Sequence, residues 1–234
     1  MWLFNSSIGR KVVMSVTGIA LILFLTFHGC MNMVALFSEE GYNMICEFLG
    51  ANWYAVVATL GLAALAVVHI VFAFILTAQN RKARGENRYE VATTTNNNGL
   101  LDVAERWASS NMLVLGLIIA LGLVMHLKDF WYNMMFAEIF GVIGAHDPAD
   151  GFAFIVDTFS NPVFVVLYII WLVAIWFHLT HGFWSAMQTL GVNGKVWQKR
   201  WQCIGMIYVT VLMLLFLVVV LAFAFGCAPS LGCC

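Results

Sequence analysis

Five of the six histidines stand in stretches that are otherwise aliphatic and aromatic: His28, His69, His126, His178 and His181. The last two share the segment WFHLTHGFWS at 176–185. A titratable ring in hydrocarbon is costly unless something binds it. Imidazole has two uses there: it hydrogen-bonds a neighbouring helix, or it ligates a metal through a neutral nitrogen. A lone histidine fits either use. The choice between them depends on where the chain places the rings.

The chain has 234 residues, 62% hydrophobic and 10% charged, with a mean hydropathy of +0.90. Soluble domains carry roughly 45–50% apolar and about 25% charged residues. So much apolar surface needs lipid as its solvent, and the chain reads as an integral membrane protein. A net charge of −1 gives no pointer to nucleic acid. The six cysteines show no paired metal-ligand spacing and no C-x-x-C-H for covalent haem. The terminal Gly-Cys-Cys is not a prenylation box. The first apolar stretch is too long for a signal-peptide core and reads as a retained span.

Hydropathy predicts an all-α bundle of five transmembrane helices, at about 12–37, 53–79, 109–136, 160–187 and 203–227, in one domain. The tract TTTNNNG at 93–99 marks an exposed loop, and no transporter-like internal repeat is evident. Arg10 and Lys11 precede the first span; Arg81, Lys82, Arg84, Arg88 and Arg106 lie between the second and third; Lys195, Lys199 and Arg200 lie between the fourth and fifth. Only Lys128 falls on the other side. The positive-inside rule therefore predicts a cytoplasmic N-terminus and a periplasmic C-terminus. The opposite side carries Glu39, Glu40, Glu47, Asp129, Glu138, Asp147, Asp150 and Asp157.

Each of the first four spans holds a histidine, and the fifth holds none. At about 1.5 Å of rise per residue, His28 and His126 lie roughly 24–26 Å from the cytoplasmic start of their helices. His69 and His178 lie roughly as far from the outer start of theirs, at a second depth nearer the cytoplasm. Paired imidazoles at matched depth are what bis-histidine haem ligation needs, with an apolar slot in the bundle for the porphyrin. A zinc or proton-relay site would want the rings to converge at one depth. Room beside the ligands is offered by Gly182, Gly122 and Ala73, one turn from His178, His126 and His69. Phe24 and Asn32, at the same offsets from His28, break the pattern.

These residues resemble the single-chain, five-helix, di-haem cytochrome b anchors of succinate dehydrogenases and fumarate reductases, in the Bacteroides-type form. The likeness covers the first four spans, and the fifth by position only. Its sharpest pieces are Ser15-Val16-Thr17-Gly18 followed ten residues later by His28, and Phe177-His178 with Gly182 four residues on. The resemblance implies two haems b, a distal one on His28 and His126 and a proximal one on His69 and His178. It makes His178 the fourth ligand and His181 a hydrogen-bonding neighbour, to a propionate.

As an electron-transfer subunit, such an anchor passes electrons between menaquinone and an iron–sulfur subunit, which exchanges them with a flavoprotein subunit where fumarate and succinate interconvert. The chain has no G-x-G-x-x-G and no cluster-spaced cysteines, so those partners are required, docking on the basic runs at 81–88 and 195–200. Headgroup contact is the equal alternative for any one of these residues. The likeness further implies an inner-membrane location and a dimer of heterotrimers. Propionate donors are expected among Ser15, by the family match, and Arg10, Lys11, Arg106, Trp107 and Trp184, by position. The two tryptophans also suit an interfacial belt. Glu47 is the expected proton acceptor for quinol oxidation near the distal haem, or an ordinary solvated acid. Some relatives carry an acid two residues before the helix-IV ligand; Trp176 stands there instead. The alternatives are a di-haem subunit of another quinone-linked oxidoreductase, or a histidine-containing transporter.

Overall fold

The computed structural model of the chain describes residues 6–85 and 106–232; the tract 93–99, Arg88, Cys233 and Cys234 lie outside them, as does the Arg84 side chain. Every regular element among the described residues is a helix. Five are long and apolar enough to cross a membrane, so the chain is a multi-pass membrane protein.

α1 spans Ser7–Val34. It starts earlier than its apolar run because Ser6 caps it, the hydroxyl accepting from the Gly9 N–H at 2.9 Å. α2 is Glu39–Phe48. α3, Trp53–Arg84, carries its helical bonding beyond the apolar stretch into a basic tail and stops at Gly85, whose φ of +62° ends it. α4 is Met112–His126. α5 is Gly151–Ser160. α6 is Pro162–Thr189, opened by a proline in the first turn and by Asn161, whose side chain accepts from the Val163 N–H. α7 is Trp197–Ala224.

α4 does not stop at His126. The rod continues in wider π turns over Leu127–Phe136 and closes with an α turn, Ala137–Phe140. Asn133 supports the widening by donating to the carbonyls of Lys128, at 3.2 Å, and Asp129, at 2.9 Å. The wide turns also hold a run of large rings, with Tyr132 stacked on Phe136 and Phe136 beside Phe140. A π segment inside a helix commonly marks a functional position.

α2 and α5 lie in stretches that read from sequence as connections. Ser38 caps α2 through the Gly41 N–H, with Glu39 and Glu40 in the first turn, where the helix dipole favours acids. Asp150 caps α5 through the Ala153 N–H. The two are tied by Asn43, which donates to Asp150 at 2.8 Å and accepts from the Phe152 N–H at 2.9 Å. Together they cover the acidic end of the bundle.

α6 is the central helix, packed on α1, α4 and α7, and α1 also packs on α3 and α7. The seam is filled by Ile22, Leu172, Ile175, Leu179, Val209, Leu212 and Met213. α3 and α4 are peripheral and turn Leu60, Val67, Leu121 and Val124 outward. Among the described residues, α1 and α4 share no extensive packing, and neither do α3 and α6. The histidines stand across those two gaps.

Candidate metal centres

His28 on α1 faces His126 on α4, with ring centroids 5.8 Å apart and planes at 79°. His69 on α3 faces His178 on α6, at 6.3 Å and 67°. An iron between two imidazole nitrogens, each about 2 Å away, places the ring centroids roughly 6 Å apart. Both pairs therefore have the span of a bis-imidazole site. The pairs stand at two levels. Thr17, which touches His69, is eleven residues from His28 on α1, or roughly 16 Å along the axis.

The pair near the basic end is held by α1. Nδ1 of His69 lies 3.1 Å from the Thr17 hydroxyl. That hydroxyl also lies 2.9 Å from the Val13 carbonyl and 3.1 Å from that of Met14, either of which takes its proton. The Nδ1–H of His69 therefore donates to Thr17, and Nε2 keeps the free lone pair that a metal needs. Gly18 makes the approach possible: a Cβ there would stand 3.3 Å from Cε1 of His69. Thr17 has no place in a reading based on charge and hydropathy. Its signal is the small polar pair Thr17-Gly18 at the depth of His69.

His178, and not His181, faces His69. Nδ1 of His178, Nδ1 of His181 and Nε1 of Trp184 are buried without a hydrogen-bond partner. Buried polar atoms are nearly always satisfied. Three orphans within two turns of α6 fit a group that brings its own acceptors, as a haem brings propionates. The His181 ring stands edge-on to Trp184 at 5.4 Å. Ser15 is buried at 7% exposure. Lys11, Arg106 and Trp107 are exposed and Arg10 is half-buried; Trp107 packs on Phe177 at 5.0 Å. Gly182 has open space where a Cβ would be.

The pair near the acidic end is walled by rings. Phe24 stacks on His28 at 5.4 Å and 14°, and Phe216 stands 5.8 Å away. Phe130 and Trp171 flank His126 at 5.2 and 5.5 Å. Phe24 thus forms a wall, which explains the bulk at that offset. Asn32 Nδ2 reaches to 3.5 Å from Nε2 of His28. Gly122 serves a purpose other than the room expected of it: a Cβ there would overlap the Trp171 indole, which fills the notch and donates to the Ile119 carbonyl at 3.0 Å.

Nδ1 of His126 lies 3.5 Å from the Tyr168 hydroxyl, which donates to Asp129 at 3.3 Å. Neither residue is flagged by spacing alone. Glu47 sits on the exposed face of α2, lining an acidic cleft with Glu39, Glu40, Asp147 and Asp150. Trp176 donates to the Thr210 hydroxyl of α7 at 3.0 Å, so it ties two helices together. In α2, outside the spans, burial holds the Tyr42 hydroxyl well above its ordinary range and pushes the Cys46 thiol up to about 11.

No protein-family model, curated protein or solved structure matches the chain.

Proposed function

We propose that the chain is the haem b-carrying membrane anchor of a fumarate reductase or succinate dehydrogenase complex, passing electrons between menaquinone and an iron–sulfur subunit. One observation carries the reading. Histidines from helices that share no extensive packing face each other in two pairs, 5.8 and 6.3 Å apart, at two levels of one bundle. Imidazoles that face each other across loosely packed helices suit a flat, metal-bearing group between them.

Two bound haems would supply a one-electron relay across the membrane. The chain's own residues would set its terms. His28 and His126 hold the distal centre, and His69 and His178 the proximal one. Thr17 orients His69 and fixes its tautomer. His181 and Trp184 offer donors to propionates from buried, unpartnered atoms, with Ser15, Arg10, Lys11, Arg106 and Trp107 placed at the same end. The aromatic wall around His28 and His126 keeps water from the distal pair. Under the positive-inside rule the basic end faces the cytoplasm of a bacterial inner membrane. Exposed Lys195, Lys199 and Arg200 give the iron–sulfur subunit, backed by the flavoprotein, a docking surface there, in a dimer of heterotrimers. Glu47, beside the acidic cleft, is the acid offered to the quinol side.

The test is a redox-titrated absorption spectrum of the purified complex with haem quantification. Two haems b per chain with bis-imidazole spectra are expected. His28→Ala or His126→Ala should leave one haem, the proximal; His69→Ala or His178→Ala should leave the distal. His181→Ala should keep both. A colourless preparation from haem-replete cells would sink the reading, and a haem lost with His181 but kept without His178 would overturn the assignment on α6.

A further inference from the structure

The last span carries a surface of a different kind. Arg200, Ile204, Ile207, Val211, Leu214 and Val218 follow one another on α7 at steps of four and three residues, and all are exposed. At 3.6 residues per turn they fall within about 80° of one face. Lys199 lies about 100° round the helix from Arg200. The opposite wall of α7, with Val209, Leu212 and Met213, faces the core. From Ile204 to Leu214 the strip is roughly 15 Å long by helical rise, half of a hydrocarbon core about 30 Å thick. That is the depth of one leaflet.

Arg200 stands at the head of the strip and is held there. Its guanidinium lies over the Trp197 ring, 5.1 Å from the centroid. Trp197 in turn lies 5.7 Å from Trp201, with the planes at 34°. Trp201 is the fixed member. Its Nε1 donates to the Val192 carbonyl at 2.9 Å, across the turn between α6 and α7, and its ring stands 6.3 Å from that of Phe183. A guanidinium stacked on an aromatic face has given up part of its rotamer freedom before any ligand arrives, and its edge N–H groups remain to donate. Among the described residues Arg200 makes no ion pair, and no acidic residue follows Asp157 in the sequence.

We propose that Trp197 and Arg200 form a binding site for one anionic phospholipid, with its phosphodiester on the guanidinium and an acyl chain along the strip. Three features choose this occupant. A fixed positive charge at the membrane surface attracts an anionic headgroup. The indole beside it suits the headgroup level, where tryptophan is enriched. The strip is apolar, as deep as one leaflet and continuous with the cation, which a soluble anion would not use. The planar guanidinium gives two parallel N–H bonds to phosphate oxygens, whereas an ammonium acts as a point charge. The site needs only that the basic end lie at a membrane surface, so it stands apart from the haem reading. It leaves Lys195 and Lys199 to the iron–sulfur subunit.

The experiment counts lipids. The protein, purified with its bound partners, is equilibrated in detergent holding phosphatidylglycerol and phosphatidylcholine in equal amounts, and retained lipid is read by native mass spectrometry. The unmodified protein should keep phosphatidylglycerol in preference; no preference overturns the proposal. Arg200→Gln should lower that retention about fivefold, the effect of one basic residue at an anionic surface. Arg200→Lys, which keeps the charge but not the planar fork, should fall between. Lys199→Gln removes the same charge from another face and should change little. Equal losses from Arg200→Gln and Lys199→Gln would mean a diffuse attraction and overturn the site. Excess inorganic phosphate should leave the lipid in place; displacement would mark a free-anion site and overturn the proposal. Release of the iron–sulfur subunit by Arg200→Gln, with lipid retention unchanged, would assign Arg200 to the protein partner and overturn it as well.

Discussion

The two histidine pairs have nearly the same span but different surroundings. Around His28 and His126 the space is filled: Phe24, Phe216, Phe130 and Trp171 crowd the rings, and the polar link through Tyr168 runs to a buried carboxylate. Around His69 and His178 the walls are small or polar, with Gly18, Gly182 and Thr17, and three buried atoms lack partners. The rings of the His28 and His126 pair are walled mainly by aromatic side chains. The proximal pair is left incomplete, as a site is when its ligand must supply the last hydrogen bonds. The two levels thus differ in how they are packed, with aromatic walls at the acidic end and small or unpartnered polar groups at the basic end.

The largest break in this contrast should come from Gly122. An added methyl there overlaps the Trp171 indole, and forcing extra volume into a packed site costs about 1–3 kcal/mol. Gly122→Ala should lower the thermal midpoint and release the distal haem, leaving one haem per chain. Gly18→Ala meets His69 only at 3.3 Å, a contact that a few tenths of an ångström relieves, so both haems should remain. Haem content and melting by absorbance check the pair. Equal losses from the two variants would remove the distinction between a filled and an open pair.

A smaller effect should follow from Thr17→Val, which keeps shape but removes the acceptor for the His69 Nδ1–H. Loss of such a supporting partner typically costs 10–100-fold in metal affinity. Proximal haem should become labile to dilution and its potential should move, with the distal spectrum unchanged. Smaller again is Trp176→Phe, which removes one bond to Thr210 between α6 and α7. Hydrogen bonds between membrane helices average about 0.6 kcal/mol, so a slight fall in melting temperature is expected, with both haem spectra intact.

Much of this arrangement is readable in the sequence, because membrane depth turns helical rise into position. His28, His69, His126 and His178 could be placed at two levels by counting residues, and facing pairs are found at those levels. The number of spans follows from hydropathy for the same reason. Side-chain identity across a gap does not follow. Trp171 fills the Gly122 notch because α4 and α6 cross there, a relation no count along one helix reveals. The Thr17–His69 bond joins residues fifty-two positions apart. The π turns after His126 keep a helix-like composition, so only the hydrogen-bond register discloses them. α2 and α5 are too short for a hydropathy window, although Ser38 with Glu39 and Glu40, and Asp150, are ordinary helix starts. In the sequence, Asp129 is one more acid on the outer side. Its burial comes from those wide turns and from Tyr168, which lies on another helix.

The cover formed by α2 and α5 offers the finest test of how closed the acidic end is. Cys46 is part of it, on α2 against Gly151 of α5, and burial, reinforced by Asp150 and partly offset by the Tyr42 hydroxyl and the Gly151 backbone, lifts its thiol from an ordinary 9.0 to about 11. The thiolate is the reactive form, so at mildly alkaline pH Cys46 should alkylate roughly a hundredfold more slowly than an unperturbed thiol, by the two-unit rise. Exposed Cys227 at the same end is the internal reference, and peptide mass spectrometry separates the two sites. The sign of the linkage is fixed by the direction of the shift. The folded state holds the Cys46 proton more tightly than the unfolded chain, so this contribution to stability is complete below pH 9.0 and is lost as pH climbs toward about 11. Cys46→Ser should remove most of that alkaline loss while leaving both haem spectra unmoved. If Cys46 and Cys227 react at the same rate near neutrality, the cover opens freely, and the distal pair is no better sealed from water than the proximal one.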